Sequence, residues 1–220
     1  MIDLAVLIGK QGSVFKSVFY LIERFSLPIS LRVIATYRDK FTAEGIKQET
    51  AHRKINFIDH QYFFTEFEKE ISSYEKKKII IFSWFDKLVP VTFIKKGYQL
   101  YNQHPSLLPQ FPGMNSWDSV WQSDLDVTGS TIHKIDEGVD TGEIVSQHSM
   151  DLHRKNGKEI ERNRLFLLQV YQAFVFFFHV CNDEDDKFFP NDLFLSDLEP
   201  NSMEELEALI DSSIKNKFTF

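Results

Sequence analysis

The chain has 220 residues, of which 43% are hydrophobic and 26% are charged, and its formal net charge at pH 7 is −7. This composition is typical of one soluble globular domain with room for a small appendage. The negative charge argues against general binding to nucleic acid, which needs basic patches. A lone cysteine, Cys181, cannot form an internal disulfide, and no apolar run reaches the roughly 20 residues of a membrane span, so a cytoplasmic protein is expected.

Strands and helices alternate through the first hundred residues. An apolar run at 4–8 predicts a strand, a glycine-containing turn follows, and residues 14–25 show helical spacing. Further strands are predicted at 31–36, 55–58, 79–82 and 98–102, and further helices at 42–51, 62–74 and 91–96. The alternation predicts an α/β fold, with a Rossmann-like, mostly parallel twisted sheet flanked by helices.

The pattern changes in the C-terminal half. Residues 128–135 and 144–150 alternate in polarity, which predicts a β-hairpin around a long acidic loop. One long helix is predicted at 157–180, with five residues facing inward: Ile160, Leu165, Leu168, Tyr171 and Val175. The apolar residues 165–180, the strands near Met150 and the 22 phenylalanines favour a pairing surface and hence a homodimer.

The last forty residues are acidic. Ser202 is followed three residues later by Glu205, a pair typical of a capping box at a helix start. We therefore expect a main domain over residues 1–181 and an acidic extension with a short helix over residues 182–220.

Three polar side chains lie among turn residues near the predicted strand ends. Asn102 and His104 stand two residues apart, and Asp140 follows in the acidic loop. An amide donor that does not titrate suits an oxyanion, an imidazole can donate or shuttle a proton, and a carboxylate can hold the imidazole or accept a proton. Together they favour acyl or formyl transfer to an amine. Spacing alone leaves open that they only form turns and solvated loops.

The surrounding motifs resemble the formyltransferases that use 10-formyltetrahydrofolate. The shared patterns are N-x-H-P-S-L-L-P, G-x-T-x-H and D-x-G-x-D-x-G, found here at 102–109, 129–133 and 136–142. The resemblance implies a catalytic trio of Asn102, His104 and Asp140, with 10-formyltetrahydrofolate as formyl donor and no metal. For His133, a place close to the site and a purely structural role both stay open.

The resemblance also implies two loops for the donor, one after the strand 79–82 and one in the acidic hairpin loop. Backbone groups there would pair with a pterin-like ring between apolar walls. The residues expected to bind the donor are Phe85, Lys87, Leu88, Val89, Asp136, Gly138 and Val139. The purine-pathway branch carries M-R-I-L where this chain has residues 85–88, so any role of that arginine side chain is lost. Core filling is the alternative for Phe85.

The acceptor side departs further from the purine enzyme, glycinamide ribonucleotide transformylase. Its G-x-G-S-N loop cradles a phosphate at a helix N-terminus, and here Lys10 and Val14 replace a glycine and the asparagine. The E-H-x-x-Y-P run of its long helix is also missing. The residues expected to bind the acceptor are Lys10, Gly12, Ser13 and Ser106.

These departures favour a nucleotide-linked amino sugar as the acceptor. The expected partner is thus a small molecule, and neither nucleic acid nor a membrane is expected as a partner. The Pro112-Gly113 pair is closer to the purine branch, so the purine intermediate is the first alternative. Hydrolysis of 10-formyltetrahydrofolate is the second. A non-catalytic regulator that binds folate or nucleotide is the third, and the intact trio argues against it.

Overall fold

The computed structural model describes residues 1–9, 12–36, 55–58, 63–76, 79–182 and 202–218, without the side chains of residue 63 and residues 213–218. The strands are β1 Ile2–Ile8, β2 Ile29–Thr36, β3 Asn56–Ile58, β4 Ile79–Trp84, β5 Gln99–His104, β6 Val127–Lys134 and β7 Ile144–Asp151. The α-helices are α1 Ser13–Arg24, α2 Phe63–Ile71, α3 Val91–Ile94, α4 Ser116–Gln122, α5 Lys158–Cys181 and α6 Met203–Phe218. The predicted helix 42–51 lies outside the described residues, and α4 was not predicted.

The described strands form one sheet in the order β3-β2-β1-β4-β5-β6-β7. Strands β1 to β5 pair in parallel, and β6 and β7 join as antiparallel neighbours. This confirms the predicted Rossmann-like, mostly parallel α/β sheet with a hairpin and a long helix in the C-terminal half. The chain winds outward from β1 to β3 and then returns to the other side of β1 at β4. In such sheets a binding crevice lies at the carboxyl ends of the strands beside this reversal.

The sheet is covered on both faces. Leu4, Val6 and Ile8 of β1 lie in a core shared with α1 and α5, whereas Ala5 and Leu7 lie in a second core with α2. All five are at most 1% exposed, which explains why β1 is apolar at every one of these positions rather than alternating. Each large apolar side chain buried in this way contributes about 1.5–3 kcal/mol.

Helix α5 is the central element of the first core. By length and composition alone it could cross a membrane, but 67% of its most apolar stretch is buried within the protein, as in a core helix. Phe174, Phe176 and Phe177 are at most 2% exposed. Much of the apolar surface that favoured a homodimer is therefore buried in the chain's own core, and the homodimer stays a prediction.

The prediction that Ile160 of α5 faces inward is wrong. Ile160 is 54% exposed, and Glu161 is fully buried beside it. Glu161 accepts a hydrogen bond of 2.6 Å from Arg164, and further bonds from the backbone N–H of His153 and the side chain of Asn156. A charge that is completely paired in this way can be buried, and here it sets which face of the first helical turn points inward.

Helix α6 packs against the first core through Leu206 and Ile210. The hydroxyl of Ser202 accepts a hydrogen bond of 3.2 Å from the backbone N–H of Glu205, which confirms the capping contact expected at its start. The boundary between a main domain and an extension at residue 182 stays a prediction.

Candidate active site

A wide cleft opens where β1, β4 and β5 end, at the reversal of the sheet. Its floor is formed by strand ends, and its walls come from the start of α1, the loop after β4, the acidic hairpin loop and the first half of α5. Asn102, His104 and Asp140 all line it. The three side chains that the sequence predicted to converge therefore share one cavity.

Strand pairing brings the polar side chains together. Asn102 and His104 point to the same face of β5 because they are two residues apart, and His133 of β6 lies directly opposite Asn102. The Asn102 amide nitrogen donates to His133 Nε2 over 3.3 Å. Asp140 faces both rings, with Oδ2 at 3.3 Å from His104 Nδ1 and Oδ1 at 3.5 Å from His133 Nε2. His133 is thus placed inside the polar cluster, between the amide and the carboxylate.

Backbone carbonyls fix the tautomers of both rings. His104 Nε2 lies 2.8 Å from the carbonyl oxygen of Phe111, and His133 Nδ1 lies 2.8 Å from that of Lys134. A carbonyl can only accept, so each of these ring nitrogens carries the hydrogen. In the neutral ring, Nδ1 of His104 then presents a lone pair towards Asp140. A proton that arrives on this nitrogen forms an imidazolium next to a carboxylate.

Burial and charge set the resting protonation state. Burial has the largest effect on the pKa of His104 and lowers it, while Asp140 and the Phe111 carbonyl act in the opposite direction without cancelling it. For Asp140, burial acts to raise the pKa, but the contacts with His133 and with the backbone N–H of Gly113 outweigh it and hold the pKa below its usual value. At neutral pH the cluster therefore contains an ionised Asp140 and a neutral His104 ready to accept a proton.

Asp140 is held by the backbone conformation of the acidic loop and by a contact from Gly113, which lies outside that loop. Asp140 adopts a left-handed backbone conformation, with φ of 53°, and its Oδ2 accepts a hydrogen bond of 2.7 Å from Gly113 N–H. Asp136 accepts from Gly138 N–H and from the Thr141 hydroxyl, over 3.0 and 2.8 Å. A Cβ on Gly138 would lie 2.0 Å from that hydroxyl oxygen, so this position requires glycine. The Asp136 carboxylate stabilises the loop through these bonds. A ligand in the cleft would therefore contact mainly backbone groups at this position.

The segment after His104 is a buried platform. Thr131 accepts a hydrogen bond from Leu108 N–H over 3.1 Å and donates to the carbonyl of Ser106 over 2.7 Å. Ser106 is fully buried, and its hydroxyl donates to the carbonyl of Gln110. The structure does not bring Ser106 to the cleft, in contrast to the expected acceptor contact, because its hydroxyl is needed to close the turn.

The cleft has two arms on opposite faces of the sheet. The first, called the loop arm, is bounded by the loop after β4 and by the hairpin loop. It contains every residue expected to bind the donor: Phe85, Lys87, Leu88, Val89, Asp136, Gly138 and Val139. Leu88 and Val139 are 68% and 48% exposed at its rim, so the loop arm offers apolar surface to a ligand. Phe85 also packs edge-on against Phe64, which combines the two roles considered for it.

The second, called the α1 arm, lies beside the start of α1. Gly12 and Ser13 line it as expected, with Gly12 at φ of 63° as the residue before the helix, whereas Lys10 lies outside the described residues. Trp84 and Gln103 from the strands, and Arg162, Phe166 and Gln169 from α5, line the cleft as well and were not predicted. Trp84 comes two residues after the apolar run 79–82 and so lies just past the end of a predicted strand, whereas Arg162 carries no sequence signal of its own.

Comparison with known proteins shows which family this chain resembles. The sequence profile described as formyl transferase matches residues 2–169. The trifunctional purine biosynthetic protein adenosine-3 of Bos taurus is 29% identical over 173 residues, which cover 75% of this chain and 17% of that protein. The phosphoribosylglycinamide formyltransferase of Bacillus subtilis is 31% identical over 93 residues, or 42% of this chain and 48% of the enzyme. The matches therefore span less than half of each of these two relatives.

Solved structures share the fold. The phosphoribosylglycinamide formyltransferase from Bacillus halodurans superposes with a TM-score of 0.72 at 19% identity, covering 85% of this chain and 99% of that one. Glycinamide ribonucleotide transformylase 1 from Geobacillus kaustophilus gives a TM-score of 0.72 at 22% identity, covering 82% and 99%. At these identities the likeness concerns the fold alone.

Proposed function

Because the chain belongs to the formyl transferase family, we propose that it moves a formyl group from 10-formyltetrahydrofolate to the primary amine of phosphoribosylglycinamide. The observation that carries the reaction is the meeting of Asn102, His104 and Asp140 in one cleft, with contacts of 3.3 Å from His104 Nδ1 to Asp140 and 3.5 Å from Asp140 to His133. An amide donor, a neutral imidazole and an ionised carboxylate are the groups that this chemistry requires.

The transfer makes one carbon–nitrogen bond and breaks another. The acceptor amine attacks the formyl carbon, and the carbonyl electron pair moves onto the oxygen. Asn102 uses one N–H for His133, and its other N–H has no partner among the described residues, so it can donate to this oxyanion. When the tetrahedral species collapses, the donor nitrogen leaves with the electron pair of its bond to carbon and takes up a proton.

His104 and Asp140 manage the proton of the attacking amine. His104 Nε2–H is held by the Phe111 carbonyl, so the proton is accepted at Nδ1, where Asp140 lies 3.3 Å away. The imidazolium that forms is stabilised by the carboxylate and can return its proton to the departing nitrogen. One pair of side chains thereby serves as base and then as acid.

The acceptor is argued from the relatives and from charge. The departures at Lys10 and Val14 favoured a nucleotide-linked amino sugar, but relatives named for purine biosynthesis and for phosphoribosylglycinamide support the purine intermediate. A phosphate also has a suitable place in the α1 arm. Gly12 and Ser13 open a helix of 12 residues whose first backbone N–H groups lack helical acceptors, and the exposed Arg162 lines the same cleft.

The loop arm is the proposed place of the donor. Its exposed Leu88 and Val139 suit a flat ring system, and backbone groups of the hairpin loop near Gly138 are available for the ring's polar edge. Lys87, which lines the same arm, has the charge to attract a carboxylate of the donor. In this assignment the two substrates enter from opposite faces of the sheet and meet at the end of β5.

A panel of amines tests the proposal. The chain is mixed with 10-formyltetrahydrofolate and, in separate reactions, phosphoribosylglycinamide, its analogue without phosphate, a nucleotide-linked amino sugar, or no amine. Tetrahydrofolate should form fastest with phosphoribosylglycinamide and much more slowly without the phosphate. Preference for the amino sugar, release of formate without amine, or binding without turnover would instead support the amino-sugar transferase, the hydrolase or the regulator.

A further inference from the structure

A chain of buried side-chain amides connects the α1 arm to the strands β6 and β7. Gln103 Oε1 accepts a hydrogen bond of 2.7 Å from the indole N–H of Trp84. The amide nitrogen of Gln103 donates to the backbone carbonyl of Gln169 and to Gln172 Oε1, over 2.9 and 3.1 Å. The amide nitrogen of Gln172 donates to the carbonyls of Ser130 and Ser146, each over 3.1 Å. This set, from Trp84 to the two strand carbonyls, is called the amide relay below.

The polarity of the amide relay is fixed at both ends. The carbonyls of Ser130 and Ser146 can only accept, so the nitrogen of Gln172 must face them and its oxygen must face Gln103. The indole of Trp84 can only donate, so the oxygen of Gln103 must face it. Both requirements agree with a single arrangement. Flipping either amide would break bonds on both of its sides.

Burial makes this arrangement expensive to disturb. Gln172 is fully buried and Gln103 is 5% exposed, so a broken bond cannot readily be replaced by water. Every polar atom of both side-chain amides has a partner within the relay or the backbone. The relay joins β4, β5, β6, β7 and α5 through three side chains, which is more elements than any single apolar contact could fix.

Trp84 is the only part of the relay that offers a large flat surface to the cleft. Its ring packs against Phe82 at 4.5 Å and Phe15 at 5.9 Å between ring centres, and it lines the cleft beside Gly12 and Ser13. Apolar packing against these two rings holds the indole, and the bond to Gln103 fixes its rotation. A ring held in this way forms a rigid wall at the base of the α1 arm.

We propose that Trp84 is a specificity-determining residue for the acceptor, and that Gln103 and Gln172 are positioning residues that hold its indole in one orientation. The proposal rests on the proposed function for the statement that the acceptor occupies the α1 arm. Gln103 lies between Asn102 and His104 on β5, with its side chain on the opposite face. The same residue therefore fixes the acceptor wall relative to the strand that carries the catalytic amide and imidazole.

The relay itself is tested without any activity. The indole N–H of Trp84 is observed by NMR in ¹⁵N-labelled protein, assigned with Trp84→Phe, and compared with the indole signals of Trp117 and Trp121. In Gln172→Met, the Trp84 signal should shift and exchange faster with solvent, because Gln103 loses the partner that orients it. Gln147→Met is the matched control, since Gln147 bonds to Leu108 and Thr131 outside the relay. An unmoved Trp84 signal in Gln172→Met would overturn the positioning role.

The specificity role is tested by titration and kinetics. Phosphoribosylglycinamide should perturb the Trp84 indole signal, and 10-formyltetrahydrofolate alone should not. Trp84→Phe and Gln172→Met should each raise the acceptor KM about tenfold, the size expected when a pocket wall changes, and leave the donor KM within about twofold. A merely structural role would instead lower the melting temperature and affect both substrates alike. Equal acceptor KM values in wild type and Trp84→Phe would overturn the proposal.

The two hypotheses fail separately. If a different amine is the true acceptor, Trp84→Phe should still raise the KM of that amine, and only the proposed function is lost. If phosphoribosylglycinamide is formylated with an unchanged KM in Trp84→Phe, only the role of Trp84 is lost. Should Gln172→Met fail to fold, Gln103→Met replaces it, because that variant removes the acceptor of the Trp84 indole and the donors to Gln169 and Gln172; an unmoved Trp84 signal in that variant would likewise overturn the positioning role.

Discussion

The two arms of the cleft are held by different kinds of interaction. On the loop arm, Asp140 is fixed by a part-buried bond from Gly113 N–H, and Asp136 by an exposed bond from Gly138 N–H. On the α1 arm, Trp84 is fixed by a buried amide relay that crosses to Gln172. The loop arm therefore depends on contacts within and between loops, whereas the α1 arm is tied to the sheet and α5. We expect the loop arm to control chemistry and the α1 arm to control the choice of acceptor.

His104→Ala is the largest break on the catalytic side. It removes the group that accepts the amine proton, and general acid–base catalysis of this kind contributes about 10²–10⁴-fold. We expect kcat to fall about 10³-fold with both KM values little changed, measured by tetrahydrofolate formation. The exposed His153 lies outside the cleft lining, so His153→Ala should keep the wild-type rate. A loss below tenfold in His104→Ala would remove His104 from the proton transfer.

Asp140→Asn should have the next largest effect. The carboxylate raises the pKa of His104 against the stronger effect of burial, so its removal should lower that pKa further. In wild type, kcat/KM should fall on the acid side with an apparent pKa below about 6.5, the value of an unperturbed histidine. In the variant, the rate should drop about 10²-fold and the acid limb should move to lower pH.

A pH–rate profile of both proteins measures these changes. Glu143→Gln is the control, since Glu143 is exposed and pairs only with Lys134 among the contacts described. An acid limb that stays in place after Asp140→Asn would mean that another group, and not His104, sets it.

Thr131→Val tests the platform under the catalytic strand. The change leaves the N–H of Leu108 and the carbonyl of Ser106 without their buried partner, which costs about 2 kcal/mol. For a chain of this size the melting temperature should fall by about 4–8 °C. Thermal unfolding measures it, and Thr65→Val on the exposed face of α2 should stay close to wild type. An unchanged melting temperature would show that the platform does not depend on this hydroxyl.

Arg162→Ala should have the smallest effect, and it tests whether the α1 arm binds the acceptor phosphate. If the guanidinium meets the acceptor phosphate, its loss should raise the acceptor KM about tenfold and leave the donor KM unchanged. The exposed Lys155 lies nearby along the chain but does not line the cleft, so Lys155→Ala serves as the matched control. Equal acceptor KM values in both variants would show that Arg162 does not bind the acceptor phosphate.

The two arms also differ in how much of them the sequence predicts. The trio was predicted because its residues belong to motifs of turn formers, with Asn102 and His104 fixed by strand alternation. The position of His133 needed the pairing of β5 with β6, which places it opposite Asn102 and which no local pattern indicates. The burial of Ser106 likewise depends on Thr131, 25 residues away.

The α1 arm was largely hidden because its contacts are long-range. Trp84 and Gln103 are 19 residues apart, and Gln103 and Gln172 are 69 apart. A glutamine such as Gln172 within an apolar helix gives no functional signal in the sequence, because its hydrogen-bond partners lie on other elements. The exposed Ile160 beside the buried Glu161 has the same cause. A charge that is fully hydrogen-bonded can take the place of an apolar side chain in the core, and its partners are not visible in the local pattern.

The fate of the formyl carbon is the most direct measurement. A donor labelled with an isotope at that carbon is incubated with phosphoribosylglycinamide and the wild-type chain, and the products are separated by mass spectrometry. We predict that the label appears as a formamide on the acceptor, in amounts equal to the tetrahydrofolate formed, and that Asp140→Asn slows it sharply. Label recovered as free formate, or remaining in the donor while the acceptor is bound, would contradict the transfer.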